Sequence, residues 1–327
     1  AGADGVRPEQ AVAPAWALCE QAAPDRRSAG TTVIGGAAPT PPLAAGDGVL
    51  LADPGEVTWL VVDGRRHRVD VGDGALLAGY GLSRVVPRPV SDALVGLIPE
   101  GPELATPVVR NRGDDAPDGL PGRVGDVLLS RPVGGRGTEH FVVLSGGVQP
   151  VPEVVAELLR VASGARAARE VGPEVLAGAR FRDELDVDGW PPAAPDLRDP
   201  GESPVVCWTW SPAEPAGRVW TGAALPVPPG TTPVVTAQAD GAGVAVDAVA
   251  VGPGGAVRVL DDRERAPDGQ VWLVSEIGLG YPVSDDATAA ALGVGTAEPA
   301  PAALLDLLPG GAPLDLAAVA SEVDLLR

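Results

Sequence analysis

The chain of 327 residues contains neither lysine nor methionine, and its single asparagine is Asn111. All 24 basic residues are therefore arginine, which is typical of proteins from very GC-rich genomes. A Walker A loop requires a lysine on the β- and γ-phosphates of a nucleotide, so these residues contain no such loop. The missing lysine thus excludes the P-loop class of nucleotide hydrolases for this stretch of chain.

Histidine is also scarce, and the net charge of the chain is negative. The two histidines, His67 and His140, are each expected at the surface or on an edge strand. A serine triad needs a positioned histidine, and no Gly-x-Ser-x-Gly elbow accompanies either one. The net charge of −20 argues against nucleic acid, which binds to basic surfaces. We therefore predict no catalytic, cofactor-binding or metal-binding residues, no cofactor and no nucleic-acid partner.

Long hydrophobic runs are absent as well. No stretch approaches the roughly 18 apolar residues that would indicate a transmembrane helix. Because an initiator methionine is also missing, we expect the sequence to be a processed segment of a longer protein. Any membrane anchor of that protein would then lie outside these residues.

Cysteine occurs only twice, as Cys19 and Cys207, and each lies close to a tryptophan. The pair could be free buried thiols or a disulfide, and a disulfide would indicate an oxidising compartment. Closing so long a loop would stabilise the fold by roughly 4–5 kcal/mol in the chain-entropy model. Neither cysteine has a second ligand at the spacing of a metal site.

What the sequence does contain is a cassette that occurs three times, at Trp59–Val69, Phe141–Val151 and Trp272–Val283. Each copy is an apolar run led by an aromatic residue, a turn with glycine, and a short second run ending on valine. This pattern predicts a β-hairpin. The segments Leu97–Leu104 and Leu307–Leu314 also match each other, with an apolar pair followed by proline at the start of each and leucine at the end. The predicted anchors of the repeats are Trp59, Phe141, Trp272, Val69, Val151, Val283, Pro99 and Pro309.

Helices are predicted from apolar spacing and from capping residues, with Ser91 or Asp92 as one cap. The predicted helices are Gly74–Tyr80, Pro89–Ile98, Pro152–Ala162, Ala300–Leu308 and Leu314–Leu326, with one further turn at Glu170–Leu176. Strands with period-two alternation are predicted at Thr31–Ile34, Val205–Trp210, Pro233–Thr236, Val244–Val251 and Ala256–Leu260. The last two strands flank residues 252–255, which read as a hairpin turn.

Together these patterns predict an elongated α+β fold, in which repeated hairpin-plus-helix units are arranged around a discontinuous, mainly antiparallel central β domain. The predicted segments of the central domain are residues 1–50, 107–136 and 191–266. The predicted repeat units are residues 51–106, 137–190 and 267–327.

The cassettes resemble those of the EccB family, a membrane-anchored core component of type VII (ESX) secretion systems in actinobacteria. The resemblance lies in Gly280–Val283, Leu292–Val294, Leu307–Leu314 and Gly146–Val151, and it extends over most of residues 15–327. The first cassette departs from the pattern, since His67–Val69 replaces the family's Tyr-Pro-Val. The family's cytoplasmic N-terminus, transmembrane helix and first repeat have no counterpart in the sequence.

The resemblance implies that Cys19 and Cys207 are the family's disulfide pair. It also implies an extracytoplasmic domain, held at the plasma membrane by a single-pass N-terminal anchor that this chain lacks. The implied function is that of a structural, oligomer-forming subunit of the membrane-embedded secretion complex. Its implied partners are further copies of itself and other type VII core subunits.

Two alternatives stay open at this point. The family's repeat fold resembles the wall-binding subunit of a bacteriophage lysin, so the chain could be a peptidoglycan-binding module with a groove lined by aromatic residues. Family members are also sometimes labelled ATPases, so the chain could bind nucleotide atypically in a pocket lined by arginines.

Overall fold

A computed structural model describes residues 15–22, 29–36, 39–131, 137–241, 245–251, 257–261, 271–293 and 298–318. In chain order the strands are β1 (Trp16–Ala22), β2 (Ala29–Gly35), β3 (Asp47–Ala52), β4 (Thr58–Val62), β5 (Arg65–Arg68), β6 (Arg88–Pro89), β7 (Val127–Ser130), β8 (Glu139–Leu144), β9 (Gly147–Val151), β10 (Arg169–Val171), β11 (Asp196–Leu197), β12 (Val205–Ser211), β13 (Glu214–Gly222), β14 (Val234–Val235), β15 (Ala248–Ala250), β16 (Val257–Asp261), β17 (Val271–Val274), β18 (Gly280–Val283) and β19 (Glu298–Ala300). The helices are α1 (Gly74–Gly79), α2 (Asp92–Leu97), α3 (Glu153–Ser163), α4 (Pro173–Ala177), α5 (Asp286–Ala291) and α6 (Ala302–Leu305).

The central sheet has six strands in the order β13-β12-β1-β2-β15-β14. Every neighbouring pair is antiparallel except β15 and β2, which run parallel. Because successive side chains of a strand point to opposite faces, Trp16 and Leu18 lie on one face of β1 and Ala17 and Cys19 on the other. All four are fully buried, so the sheet is covered on both sides here. The structure thus confirms the predicted α+β class and the discontinuous central sheet.

The predicted hairpin around residues 252–255 is wrong. Strand β15 pairs with β2 and β14, whereas β16 pairs with β17 and β19 in a different sheet. The alternating pattern located both strands, although β15 is shorter than the predicted Val244–Val251, but it could not identify their partners. Residues 252–256 themselves lie outside the described part of the chain.

Each of the three remaining sheets is built on one cassette and follows the same plan. Three antiparallel strands come first: β3-β4-β5 in the first unit, β7-β8-β9 in the second and β16-β17-β18 in the third. A helix follows, and then a short strand (β6, β10 or β19) pairs in parallel with the first strand of the unit. A short helix and an extended tail complete the unit, so the repeat includes a strand that precedes the cassette.

The tail of the first unit pairs in parallel with β5. The amide of Arg66 donates to the carbonyl of Pro99 at 2.9 Å, and Gly101 donates back to Arg66 at 2.8 Å. Further along, Val69 and Leu104 form a second parallel bridge. The tail thereby extends the sheet by one strand-like segment.

The tail of the third unit repeats these bonds on β18. The amide of Gly280 donates to Pro309 at 2.9 Å, and Gly311 donates to Gly280 at 2.7 Å. Val283 and Leu314 supply the matching second bridge. The sequence match between the two tails therefore reflects one shared backbone pairing.

The second unit has the same tail, which the sequence pattern did not indicate. The amide of Val148 donates to the carbonyl of Arg180, and Arg182 donates to Val148, both at 2.8 Å. Arg180 stands where the other two tails have proline, so the match was hidden. The helical turn predicted at Glu170–Leu176 is instead strand β10 followed by helix α4.

Most predicted helices form, and their caps explain where they begin. The carboxylate of Asp73 accepts the amides of Ala75 and Leu76 at the start of α1, both at 3.0 Å. Ser91 caps α2 as predicted, since its hydroxyl accepts the amide of Leu94 at 3.2 Å. Helix α6 is shorter than predicted. Of the last predicted helix, only residues 316–318 are helical within the described chain.

The tails pack against a ring on the preceding strand, and glycine provides the space. A Cβ on Gly311 would lie 2.4 Å from Cδ1 of Tyr281, and a Cβ on Gly101 would lie 2.3 Å from Cε1 of His67. His67 lies on β5, the last strand in its sheet order, as one of the two expected locations had it, but it is buried, with 2% of its surface exposed, so the surface location is wrong. His140 on β8 is half-buried.

We predict that Gly311→Ala destabilises the fold by about 1–3 kcal/mol, because its methyl group would overlap the Tyr281 ring and the tail would have to shift. The matched control is Gly310→Ala, since a Cβ at Gly310 meets no atom within 4 Å. Urea unfolding measures both variants. Equal stability of the two variants would contradict the packing described for this tail.

Candidate functional site

A disulfide between Cys19 and Cys207 cross-links two strands of the central sheet. The two cysteines are separated by 188 positions in the chain. They face each other across β1 and β12 in the antiparallel register. Both side chains are fully buried. The disulfide implied by the family resemblance is thus present in the structure, and it joins two distant segments of the central sheet.

The first unit forms the middle layer of the molecule, because its sheet is buried on both faces. On one face Val61 and Trp59 belong to the same apolar core as Trp16 of the central sheet. On the other face Leu60 and Val62 belong to a core shared with the second unit. Alternation along the single strand β4 thus connects the central sheet to the second unit.

The second unit packs on the first mainly through helices α1 and α3. Leu76 and Tyr80 at α1 share a core with Leu158 on α3. A Cβ on Gly79 would lie 2.6 Å from Cδ2 of Leu158, so the helices approach closely at this glycine. Helix α3 presents five buried apolar residues in its eleven-residue length, as its amphipathic pattern predicted.

The third unit also packs against the central sheet, and its buried residues belong to the same apolar core. Val274, Ala300 and Leu304 cluster with the tryptophans of the central sheet. The side chain of Gln238 also donates to the carbonyl of Leu307 at 3.0 Å, which fixes the loop after β14 to the end of α6.

Two polar contacts tie the central segments to the first unit, and the sequence pattern indicated neither. Glu20 on β1 is 1% exposed, and its Oε2 accepts the amide of Ser91 at 2.8 Å. Burial raises the pKa of Glu20 to about 7 against the lowering effect of the Ser91 hydrogen bonds. Glu20 shares its strand face with Trp16 and Leu18, so its alternation could have placed it in the core.

Arg88 on β6 forms the second contact. It is 3% exposed, and its Nη2 donates to the carbonyls of Arg198 at 2.9 Å and Ser203 at 3.1 Å. Burial lowers the pKa of Arg88 to about 10, with Asp199 opposing the effect. This arginine holds the segment that leads from β11 into β12, and no local sequence signal marks it.

The arginine pair at the first hairpin is bound within the chain. The Arg66 guanidinium lies 5.1 Å from the centre of the Trp59 ring, and its Nη2 forms an ion pair with Glu100 at 2.8 Å. The Nη1 of Arg65 donates to the carbonyl of Glu100 at 3.0 Å. Both arginines are thus bound to groups of the first unit's tail, although the exposed Arg65 also lines a surface cavity.

Two cavities open at the surface. One, of about 610 Å³, lies between the hairpin turn at Asp63 and strand β13, and Arg65 and Arg218 are among its lining residues. The other, of about 600 Å³, lies on the second unit and is lined by His140, Phe141 and Phe181 among others. Phe181 is 59% exposed and meets the Phe141 ring edge-on at 6.1 Å. Within the described ranges no group of His, Cys, Asp or Glu side chains could hold a metal ion.

The predicted repeat anchors occupy matching places in the three units. Phe141, Val69, Val151 and Val283 are buried, whereas the remaining four are partly buried. Those four are Trp59, Trp272, Pro99 and Pro309.

Among the helices of the described chain, none is both long enough and apolar enough to cross a bilayer.

Comparisons with known proteins agree along the whole chain. A family model described as "Type VII secretion system ESX-1, transport TM domain B" matches residues 3–327. The ESX-5 secretion system ATPase EccB5 of Mycobacterium marinum is 34% identical over an alignment of 301 residues, which covers 87% of this chain and 59% of the relative. The ESX-3 secretion system ATPase EccB3 of Mycobacterium tuberculosis is 31% identical over 298 residues, covering 83% and 55%. The chain therefore spans little more than half of these relatives.

Solved structures show the same fold. A chain of the periplasmic assembly from the ESX-5 inner membrane complex superposes with a TM-score of 0.74 at 30% identity, covering 97% of this chain and 77% of that one. An EccB3 dimer from the ESX-3 core complex superposes with a TM-score of 0.75 at 26% identity, covering 95% and 83%.

Replacing both cysteines, Cys19→Ala with Cys207→Ala, should lower the free energy of unfolding by about 2–5 kcal/mol, because the unfolded chain gains the freedom of a long open loop. Urea unfolding measures the loss. Wild-type protein unfolded with a reductant present serves as the control and should match the double variant. If the double variant is as stable as the oxidised wild type, the disulfide does not stabilise the central sheet.

Proposed function

The chain belongs to the EccB family of type VII secretion proteins, and on that premise we propose that it is a structural subunit of an ESX secretion complex. One observation carries the proposal: almost the whole chain superposes on a subunit of the ESX-5 periplasmic assembly. In this role three repeated units and a disulfide-tied sheet provide rigid surfaces for assembly. Its partners are further copies of the chain and other core subunits of the secretion complex.

We propose an extracytoplasmic location for these residues. A fully buried disulfide between distant segments fits an oxidising compartment, and the structural relatives include a periplasmic assembly and an intact inner membrane complex. In this proposal a single-pass segment outside these residues anchors the protein in the plasma membrane. The family description, a transport TM domain, supports such an anchor.

We further propose that the central sheet and the three units act as separate structural modules in assembly. The proposed central segments are residues 1–50, 107–136 and 191–266, although β3, β7, β11 and β16, which begin in these ranges, pair within the unit sheets. This division leaves each unit with its own sheet and its own outward surface.

An ATPase role has less support from these residues, although the relatives carry that name. The chain has no lysine, and Arg65 and Arg66 bind their own neighbours. Wall binding has one feature in its favour, the aromatic cavity at Phe181. That cavity holds a single exposed ring in the described chain, and its rim carries the carboxylates of Glu139 and Glu153.

The proposal predicts that the full-length tagged protein, purified from its own membranes in mild detergent, carries other secretion subunits in fixed ratio. Native mass measurement gives the composition. The same preparation is tested for sedimentation with peptidoglycan and for ATP turnover, with Arg65→Ala as the matched variant in the turnover assay.

Absence of secretion subunits together with retention on peptidoglycan would favour the wall-binding role. Turnover that falls in Arg65→Ala would favour a hydrolase. A fixed complex with neither activity supports the structural role.

A further inference from the structure

The junction between the central sheet and the first unit contains a carboxyl group in an apolar setting. Glu20 lies on the face of β1 that also carries Trp16 and Leu18, and this face packs against helix α2. Leu94 and Val95 of α2 belong to the same buried core. A carboxylate here is therefore removed from water at an interface between two modules.

The partners of Glu20 are neutral donors. The amide of Ser91 donates to Oε2 at 2.8 Å, and the Ser91 hydroxyl donates to Oε1 through a short contact. The Thr31 side chain on the neighbouring strand β2 also hydrogen-bonds the group. No cation forms an ion pair with Glu20 among the residues that the structure describes.

The charged groups around this contact do not compensate an ionised Glu20. Asp247 is the neighbouring charge, and its own carboxylate accepts the amide of Thr31 at 2.8 Å. Arg88 points its Nη2 to the carbonyls of Arg198 and Ser203. Asp92, next to Ser91, is exposed. An added negative charge on Glu20 thus meets a second acid and no nearby cation.

We propose that Glu20 and Ser91 form a protonation-sensitive latch between the central sheet and the first unit, closed while Glu20 is neutral and weakened when it ionises. The neutral carboxyl still accepts the Ser91 amide through Oε2, its hydroxyl donates to the Ser91 Oγ, and a neutral group is buried at little cost. The ionised form favours solvent, which it reaches only if α2 moves away from β1. The inference goes beyond a general assembly role, because it assigns a condition under which the contact between two modules weakens.

The direction of the pH effect follows from linkage. Burial raises the pKa of Glu20 from its ordinary 4.5 to about 7. The folded state therefore holds the proton more tightly than the unfolded state does. The stabilisation is complete below pH 4.5 and is lost as the pH rises to and through 7. Over this window the unfolding equilibrium constant should increase by roughly 10²–10³-fold from this group alone.

The test compares wild type with Glu20→Gln, which has nearly the same shape but cannot ionise, in urea unfolding from pH 4.5 to 8.5. The wild-type unfolding constant should rise by roughly 10²–10³-fold relative to the variant. The control is Glu202→Gln, a change at an exposed acid that should track wild type. Parallel pH profiles for wild type and Glu20→Gln would overturn the proposal.

Titration of the unsubstituted protein gives one readout that does not depend on how a variant folds, and amide exchange gives a second, measured against Glu20→Gln. The ¹³C shift of the Glu20 carboxyl carbon should titrate near pH 7, and amide exchange in Asp92–Leu97 should accelerate above that pH relative to Glu20→Gln at equal pH. Ser91→Ala removes a donor that favours the ionised form, so it should move the titration upward. A titration at the ordinary pH of a glutamate, or unchanged exchange in α2, would refute the latch.

Discussion

Burial of the first unit's sheet on both faces is the constraint on which the rest of the architecture depends. Strand β4 places Trp59 and Val61 toward the central sheet and Leu60 and Val62 toward the second unit. Each fully buried aliphatic side chain contributes about 1.5–3 kcal/mol relative to exposure. Replacing one of these four side chains by a polar one would therefore weaken the packing of β4 against one of its two neighbours. The first cassette has a continuous run of apolar residues because its first strand is buried on both faces of the sheet.

The same alternation fixes the central sheet and its polar junction. A slip of one residue between β1 and β12 would turn Trp16 and Leu18 to the opposite face and separate Cys19 from Cys207. The disulfide is compatible with a single register, and that register also directs Glu20 toward α2. The covalent link and the buried acid are thus two consequences of one strand pairing, even though they act on opposite faces of the sheet.

Local signals predicted much of this fold, whereas the choice of partners did not follow from them. Turn glycines and caps such as Ser91 act within a few residues, so the three hairpins and most helices could be located. The pairing of β15 with β2 depends on segments far apart in the chain, and the predicted hairpin there was wrong. Burial of His67 depends on Gly101 in the tail, which no periodicity of β5 reveals. Burial of Glu20 could have been predicted from strand alternation, whereas burial of Arg88 depends on the path of a loop that is distant in the chain.

The three tails show why a repeated backbone can serve an assembly that needs different surfaces. The parallel bridges that pair each tail with its hairpin place Glu100, Phe181 and Gly310 at the same site of the unit, and all three are exposed. One site thus carries an acid, an aromatic ring or no side chain, while the backbone bonds around it stay the same. Because the hydrogen bonds that build the unit come from the main chain, outward side chains can differ without cost to the fold. One structural plan therefore presents three chemically distinct groups at equivalent positions, which suits the proposed role of a subunit with several different neighbours.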